Sequence, residues 1–377
     1  MNVVVTPPLL PDQPEPVVFS GKRGDFRKLV TRGAALELVT AGFYRFWLAT
    51  DMRRHLWSHT EIDGDAAEYT GRARELLIGF LIAMAILVPI YVVYFVIGIE
   101  AERAQAFASF PIFLFFYLFG QFAIYRARRY RLTRTVWRGV RFWMDGSGWA
   151  YALRATLWGA LVALTLGLAW PWREAALERY KMRHSHYGSL QGSFEGTGWE
   201  FFKRGWGLWL ASPLMLLLIP APFIYGAFKA IEWKWWVEGL RFGDARFRSK
   251  LPTDGLMGLY WKAIGWCTLA FVGFGIYLSA ALLLYWQLSG QEMDKLFAGG
   301  RIVQAIPIIV IYVIGYLALV LAINIVIRLY LVRDIWQRVV ASIVVNRLDA
   351  AADVAAKGEL ASALGEGIAD GLDVAGF

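Results

Sequence analysis

Four long apolar runs without a charged residue constrain the fold of this chain more than any other feature of its sequence. The runs are Leu76–Ile99, Ala104–Tyr125, Ala263–Leu288 and Ile302–Ile327. About 18 apolar residues suffice for a helix to cross a hydrocarbon core roughly 30 Å thick. Short linkers that contain charged residues separate the members of each neighbouring pair. We therefore predict two transmembrane helical hairpins.

Two further apolar segments, Ala155–Trp172 and Gly205–Phe228, allow two arrangements. Either both cross the membrane once, which gives six spans, or both enter it and return on the same side, which gives four. The loop 173–204 would be external in the first arrangement, although it carries six Lys and Arg residues. Basic loops are typically cytoplasmic, which favours the re-entrant arrangement.

Composition and charge also indicate a membrane protein. Charged residues make up 18% of the chain, whereas soluble globular proteins contain about 25%. The formal net charge is +9, and the segment 126–154 contains eight Arg residues and one acid. The positive-inside rule places that segment in the cytoplasm, and we expect both termini there. Because the Arg residues crowd beside apolar runs, no nucleic-acid partner is expected.

Part of the sequence recurs next to the apolar segments. Five residue types match at one constant offset between 40–59 and 165–184: Thr40, Gly42, Trp47, Arg54 and His59 match Thr165, Gly167, Trp172, Arg179 and His184. The dipeptides Asp63-Gly64, Asp145-Gly146 and Asp254-Gly255 favour tight turns. We therefore predict repeated units, each an amphipathic helix followed by a short hairpin or turn on the cytoplasmic face. The predicted fold class is an all-α integral membrane protein, with two transmembrane helical hairpins and two re-entrant or spanning segments.

An arginine-rich stretch is the main candidate for binding. Its five members have helical spacing: Arg128, Arg131, Arg134, Arg138 and Arg141. On one helix they would share a broad face. Such a face could contact anionic lipid headgroups, or the charges could serve only to set the topology. Four aromatic residues are expected at headgroup depth, where amphipathic rings are stable: Phe43, Tyr44, Trp47 and Trp172.

The sequence contains no recognised catalytic motif. It has no Walker A loop, no GxSxG elbow and no GxGxxG between a strand and a helix. His55 and His59 are four residues apart, but a zinc site needs at least three protein ligands. We expect no catalytic, cofactor-binding or metal-binding residues, no cofactor and no enzymatic activity.

The two ends of the chain differ from the middle in composition. Residues 1–18 contain five prolines and no Lys or Arg, and are expected to be a disordered tail. Residues 349–377 are rich in Ala, Gly and acids and are expected to be flexible. Between them, residues 19–348 form the predicted membrane domain.

Three motifs resemble those of the YjgN-like bacterial inner-membrane proteins. They are TAGFYRFW, the H-T-x-x-x-G-x-x-x-x-Y-T-G run over His59–Gly71 and the late GEGIADGLDVAGF. The resemblance implies a multi-pass inner-membrane protein whose domain has no assigned function. We expect a protein that handles lipid or small amphipathic solutes, or that supports the envelope, with anionic lipids as partners. The alternative is a scaffold that recruits a protein partner through the basic helices and acidic tail; a homo-oligomer is also compatible with the sequence.

Overall fold

The computed structural model describes residues 14–103, 109–217, 219–289, 302–358 and 360–361. Within these ranges, helix pairs alternate with short strands along the chain. The helices are α1 (Arg23–Val39), α2 (Arg45–Ser58), α3 (Ala73–Arg103), α4 (Ser109–Thr133), α5 (Gly148–Leu164), α6 (Trp170–Arg183), α7 (Gly198–Ala211), α8 (Ala221–Gly239), α9 (Met257–Ser289), α10 (Ile302–Val326) and α11 (Ile335–Ala341). A π-helix over Ile327–Asp334 joins α10 to α11, and short 3₁₀ helices cover Ser212–Leu216 and Leu348–Ala351.

The described strands form one antiparallel sheet that curls into a nearly closed barrel. The strands are β1 (Glu15–Phe19), β2 (Thr60–Ile62), β3 (Asp65–Ala66), β4 (Glu68–Tyr69), β5 (Thr135–Trp137), β6 (Val140–Met144), β7 (Ser185–Tyr187), β8 (Leu190–Phe194), β9 (Leu240–Phe242), β10 (Ala245–Ser249) and β11 (Ile343–Asn346). Their order in the sheet is β3-β2-β1-β11-β10-β9-β8-β7-β6-β5-β4. The first and last strands of this order are separated in the chain only by Ala67, whose backbone N–H donates to Thr60 O at 3.0 Å. The sheet therefore curls until its two ends meet.

The predicted all-α fold class is wrong, because it omits this barrel. The strands are only two to five residues long. Most are too short to show the alternation of apolar and polar residues, over about four to eight positions, that indicates a strand in a sequence. The Asp63-Gly64 turn is confirmed, since both residues have positive φ and join β2 to β3. Asp145-Gly146 and Asp254-Gly255 are not hairpin turns; they lie in the connections from β6 to α5 and from β10 to α9.

The predicted arrangement of two transmembrane hairpins with extra segments is also corrected. Among the described residues, three helices are long and apolar enough to cross a membrane: Ala73–Gly98, Met257–Gln287 and Ile306–Ala341. The predicted span Ala104–Tyr125 begins outside the described residues, and α4, which contains the rest of it, is not among the three.

The barrel fixes where each helix pair begins and ends. Strands β6 and β7 are hydrogen-bonded neighbours, with Phe142 opposite Tyr187. The pair α5 and α6, which contains 155–172, therefore leaves the barrel and returns to it. Strands β8 and β9 are paired in the same way around α7 and α8. A single crossing by either ambiguous segment would separate strands that the structure pairs as neighbours.

The N-terminal strand joins the two ends of the described chain. β1 pairs with β11 and with β2, although residues 15–18 were expected to belong to a disordered tail. Beside this strand, the buried Arg333 donates from Nη2 to Gly21 O at 2.6 Å, and Arg23 forms a 3.0 Å ion pair with Asp334. Residues near the two ends of the described chain are therefore joined in the barrel and in the helix layer.

The segment after β11 covers the hairpin end of the barrel. Ala351 is buried in a cluster with Trp137 and Tyr187, against which Leu348 and Val354 also pack. Part of the acidic segment predicted to be flexible, 349–358, is therefore packed against the barrel. Residues 1–13 and 362–377, which hold most of the two predicted tails, lie outside the described residues.

Closure of the barrel by β1 can be tested at two adjacent residues of this strand. Val17 is 5% exposed and packs with Val340 and Val345, whereas Val18 is 50% exposed. Val17→Asp would place an uncompensated charge in the barrel and should lower the free energy of unfolding by roughly 3 kcal/mol or more. Thermal unfolding in detergent, followed by tryptophan fluorescence, measures this. Val18→Asp is the matched control, and equal loss of stability in both variants would contradict closure by β1.

Candidate functional site

A cavity of about 480 Å³ lies at the centre of the helix layer. Its wall is formed by the second helix of each pair, namely α2, α4, α6, α8 and α11, together with the first residues of β5 and β11. We call this space the central cavity. Because each of these helices leads directly into a barrel strand, the barrel holds their C-terminal halves around one common space.

The same helical positions line the central cavity in successive pairs. One set lies seven positions before the next strand begins: Arg128, Glu178, Trp233 and Trp336. A second set lies four positions before the strand: Arg131, Lys181, Trp236 and Val339. Positions three residues apart share a helix face. The register between helix and strand therefore decides which side chains face the cavity.

Charged side chains occupy one side of the central cavity. Glu178 is buried on α6 and forms ion pairs with Lys181 and, at 3.2 Å, with Arg128 of α4. Burial by itself raises the pKa of this carboxyl, but the Lys181 ammonium and the Arg128 guanidinium outweigh burial and lower the pKa to about 2. Glu178 is therefore ionised at neutral pH and holds α4 and α6 together.

The charged side continues onto α8. Lys229 pairs with Glu232 at 2.6 Å, and both line the central cavity. Glu174 of α6 also lines it and contacts Arg173. Burial raises the pKa of the Glu174 carboxyl, an effect opposed by the positive charges of Arg173 and Lys181. The acidic groups of this wall thus differ in how readily they take up a proton.

The opposite side of the central cavity is apolar. Trp57 of α2 stacks on Trp336 of α11 with ring centroids 4.9 Å apart. Their indole N–H groups donate to the hydroxyls of Thr135 and Thr60 at 3.0 and 3.1 Å. With these N–H groups satisfied, the rings present carbon surface beside the aliphatic residues of α11, which are Ile335, Val339 and Val340. The central cavity is therefore amphipathic.

The five arginines that were predicted to share one lipid-binding helix face lie in different parts of the structure. Arg128 and Arg131 line the central cavity. Arg134 pairs with Glu75 at 2.7 Å, and Arg141 donates to the carbonyl of Thr133 at 2.7 Å. Arg138 binds Asp63 and Asp65, each at 2.5 Å. The five do not share one helix face, because Arg138 lies in a hairpin turn with φ of 48° and Arg141 lies in β6. Lipid contact by these residues stays a prediction.

The predicted aromatic anchors lie near the turns between paired helices. Phe43 is exposed in the α1–α2 turn, and Tyr44 stacks on Trp47 with centroids 6.2 Å apart. Trp172 lies in the first turn of α6 and packs on Trp199 and Phe202 of α7. Their depth in a membrane is a prediction that these contacts do not test.

Sequence reasoning missed most of the cavity residues. Glu174, Glu178 and Lys181 follow one another at spacings of four and three, which already indicated one helix face. What the sequence did not indicate was that α8 and α11 would face the same space. Within the described residues, no group of three or more His, Cys, Asp or Glu residues is arranged to hold a metal ion.

The fold and the central cavity define a class of protein. The protein is helix-rich and built on a nearly closed barrel, and its described residues include three helices long and apolar enough to cross a membrane. The family model described as a bacterial protein of unknown function (DUF898) matches residues 14–232. The chain belongs to this family, which corresponds to the YjgN-like proteins and confirms the resemblance. No curated protein and no solved structure matches the chain.

The ion pairs of Glu178 predict how stability depends on pH. The folded-state pKa is about 2, below the ordinary value of 4.5, so the unfolded chain binds the proton first as the pH falls. The stabilisation is therefore complete above pH 4.5 and is lost between about pH 4.5 and 2. Glu178→Gln should lack this loss, and at pH 7 it should be less stable by roughly 3–5 kcal/mol because two largely buried cations, Arg128 and Lys181, lose their counter-charge.

Thermal unfolding of the detergent-solubilised protein between pH 7 and pH 3 measures both effects. Glu68→Gln, at an exposed position on the barrel, is the control and should behave like the wild type. An unchanged pH dependence in Glu178→Gln would contradict the role assigned to this ion cluster.

Proposed function

We propose that this protein is a non-enzymatic, multi-pass protein of the bacterial inner membrane that binds a small amphipathic anion in its central cavity. The ligand would be a lipid or a lipid-like solute. The single observation that carries the proposal is the division of the cavity into a charged part on α4, α6 and the Lys229–Glu232 pair of α8, and an apolar part on α2, α11 and the tryptophans of α8.

The size and the charge of the central cavity support this class of ligand. Ligand sites typically enclose about 300–1,000 Å³, and this cavity encloses about 480 Å³. Four cationic and three acidic side chains line it: Arg128, Arg131, Lys181, Lys229, Glu174, Glu178 and Glu232. The excess of positive charge favours a negative headgroup, and five Trp residues offer carbon surface to an apolar body.

The choice of lining residues supports binding rather than catalysis. Among the described residues that line the central cavity, none is Ser, Cys or His, although it is lined by Glu and Lys, which can also act as general acid or base. The carboxylates and ammonium groups are largely engaged with one another. A site of this kind holds and orients a ligand.

The orientation in the membrane follows from charge and topology. The arginine-rich segment 126–154 runs from the end of α4 through β5 and β6 into α5 and so lies against the barrel. By the positive-inside rule the barrel would be cytoplasmic. Because β1 and β11 are neighbours in the sheet, the two ends of the described chain would lie on that same side.

We also propose that the helix pairs with their hairpins are copies of one internal repeat. Thr40 and Thr165 occupy the same position in the turns between paired helices and make the same hydrogen bonds. The cavity positions keep the same register to the following strand in several pairs. Both regularities are expected of a duplicated unit that packs only against its neighbours.

Two arginine variants separate a ligand in the central cavity from general binding of lipid headgroups. Arg131 lines the cavity, whereas Arg138 is held by Asp63 and Asp65 at the hairpin end of the barrel. Arg131→Gln should reduce the anionic amphiphile that co-purifies with the protein by at least about tenfold, since a hydrogen bond from a charged group contributes roughly 1.5–3 kcal/mol. Arg138→Gln should retain the wild-type amount.

The measurement is mass spectrometry of organic extracts from protein purified in a neutral maltoside detergent, normalised to protein. Equal loss from both variants would support the headgroup platform instead of the central cavity. Absence of any enriched anionic amphiphile from the wild type would contradict the proposed function.

A further inference from the structure

Two of the turns between paired helices have the same hydrogen-bonded structure. In the α5–α6 turn, Thr165 Oγ1 donates to Leu161 O at 2.8 Å and accepts from the backbone N–H of Ala169 at 3.1 Å. In the α1–α2 turn, Thr40 Oγ1 donates to Leu36 O at 2.7 Å and accepts from the N–H of Tyr44 at 2.9 Å.

Glycine completes both turns in the same way. Gly167 N–H donates to Val162 O, and Gly42 N–H donates to Glu37 O, each at 2.7 Å. The two glycines have φ of 92° and 89°, which favours a residue without a Cβ. A threonine followed two residues later by a glycine therefore specifies the turn, and it accounts for two of the five residue matches between 40–59 and 165–184.

These turns satisfy their own backbone donors. Every backbone N–H from Thr165 to Trp170 donates to an acceptor within the turn or the preceding helix, and the same holds from Thr40 to Arg45. In water, loop N–H groups can bond to solvent, so such completeness is not needed. In hydrocarbon it is required, because an unsatisfied backbone group costs several kcal/mol there.

The side chains of the turns are apolar and point away from the protein. Leu164 is 82% exposed beside the α5–α6 turn, and Leu216 is 89% exposed in the 3₁₀ helix between α7 and α8. No charged residue lies between Arg154 and Arg173 or between Arg204 and Lys229. The α1–α2 turn exposes Val39 by 84%, but it is flanked by charged residues, Glu37 and Arg45.

The turns also lie at the end of the molecule that a membrane would surround. Each helix pair starts and finishes at the barrel, so its turn is at the far end. α5 has 17 residues and α9 has 33, which correspond to about 25 and 50 Å at 1.5 Å per residue. Both helices start a few residues after a barrel strand, so the α5–α6 turn is reached after about half the length of α9.

We propose that the α5–α6 turn and the 3₁₀ helix Ser212–Leu216 that follows α7 insert among the acyl chains of the leaflet nearest the barrel, and that the α1–α2 turn inserts to a shallower depth. The occupant of these apolar surfaces is lipid rather than a second copy of the chain, because they expose large apolar side chains in the same way as the long helices α3 and α9, which are apolar enough to cross a membrane. The proposal rests on the membrane location given above, and it does not depend on a ligand in the central cavity.

The test uses single cysteines labelled with a nitroxide in proteoliposomes of phosphatidylethanolamine and phosphatidylglycerol. The only native cysteine, Cys267, is first replaced (Cys267→Ser). Labels are then placed by Leu164→Cys, Leu216→Cys and Val39→Cys, all at highly exposed positions. Val93→Cys, on the exposed side of α3, is the control for a spanning helix, and Arg246→Cys, exposed on β10, is the control for the barrel.

Collisions of each label with oxygen, which concentrates in lipid, and with a water-soluble nickel chelate report its depth. Leu164 and Leu216 should show at least tenfold less contact with the nickel chelate than Arg246 and high contact with oxygen, and Val39 should be intermediate. Water-accessible labels at Leu164 and Leu216 together with a lipid-exposed label at Val93 would overturn this proposal alone. A water-accessible Val93 would overturn the membrane location itself. Labels shielded from both reagents, with spectra broadened by spin–spin coupling, would identify a second copy as the occupant and overturn the lipid proposal.

Discussion

The pairing of β1 with β11 is the interaction on which the rest of this structure depends. Without it, the sheet would end in two open edges, with unpaired backbone groups available for wrong pairings. With it, strands from the whole length of the chain share one barrel, and every helix pair must begin and end there. The buried contact of Arg333 with Gly21 repeats this closure in the helix layer. The central cavity exists because the second helices are tied to a nearly closed ring of strands.

The same closure explains how the central cavity holds so many charges. A helix carries a partial negative charge at its C-terminus, and the cavity-lining helices direct their C-termini towards the barrel. Arg131 and Lys181 lie in the last turns of α4 and α6, where a cation is favourable. Desolvating an ion still costs several kcal/mol, and Glu178 offsets part of that cost by pairing with Lys181 and Arg128. The partial negative charge of the helix C-termini and the carboxylate of Glu178 therefore both stabilise the cations of the cavity.

The sequence could reveal local features of this fold but not the closure. Its apolar runs overlap the three membrane-length helices, and the match of Thr40 and Gly42 to Thr165 and Gly167 corresponds to two identical turns. The arginine pattern misled, because Arg138 keeps helical spacing with Arg134 while it occupies a hairpin turn before Gly139. The spacing of the arginines is the same whether Arg138 continues the helix of Arg134 or lies in the hairpin turn that follows it, so spacing alone could not distinguish the two. Strands of two to five residues gain their stability from strands far away in the chain. The sequence of one short segment does not indicate which distant strands pair with it.

Equivalent positions with different side chains explain the character of the central cavity. The position seven residues before the strand holds Arg128, Glu178, Trp233 and Trp336 in successive pairs. The backbone places all four at corresponding points, so the division into a charged and an apolar side cannot come from the architecture. It comes from the side chains alone, and a barrel that fixes only backbone register leaves them free to vary. Binding specificity in this fold would therefore change by substitution at these positions, with little change in the barrel that holds them.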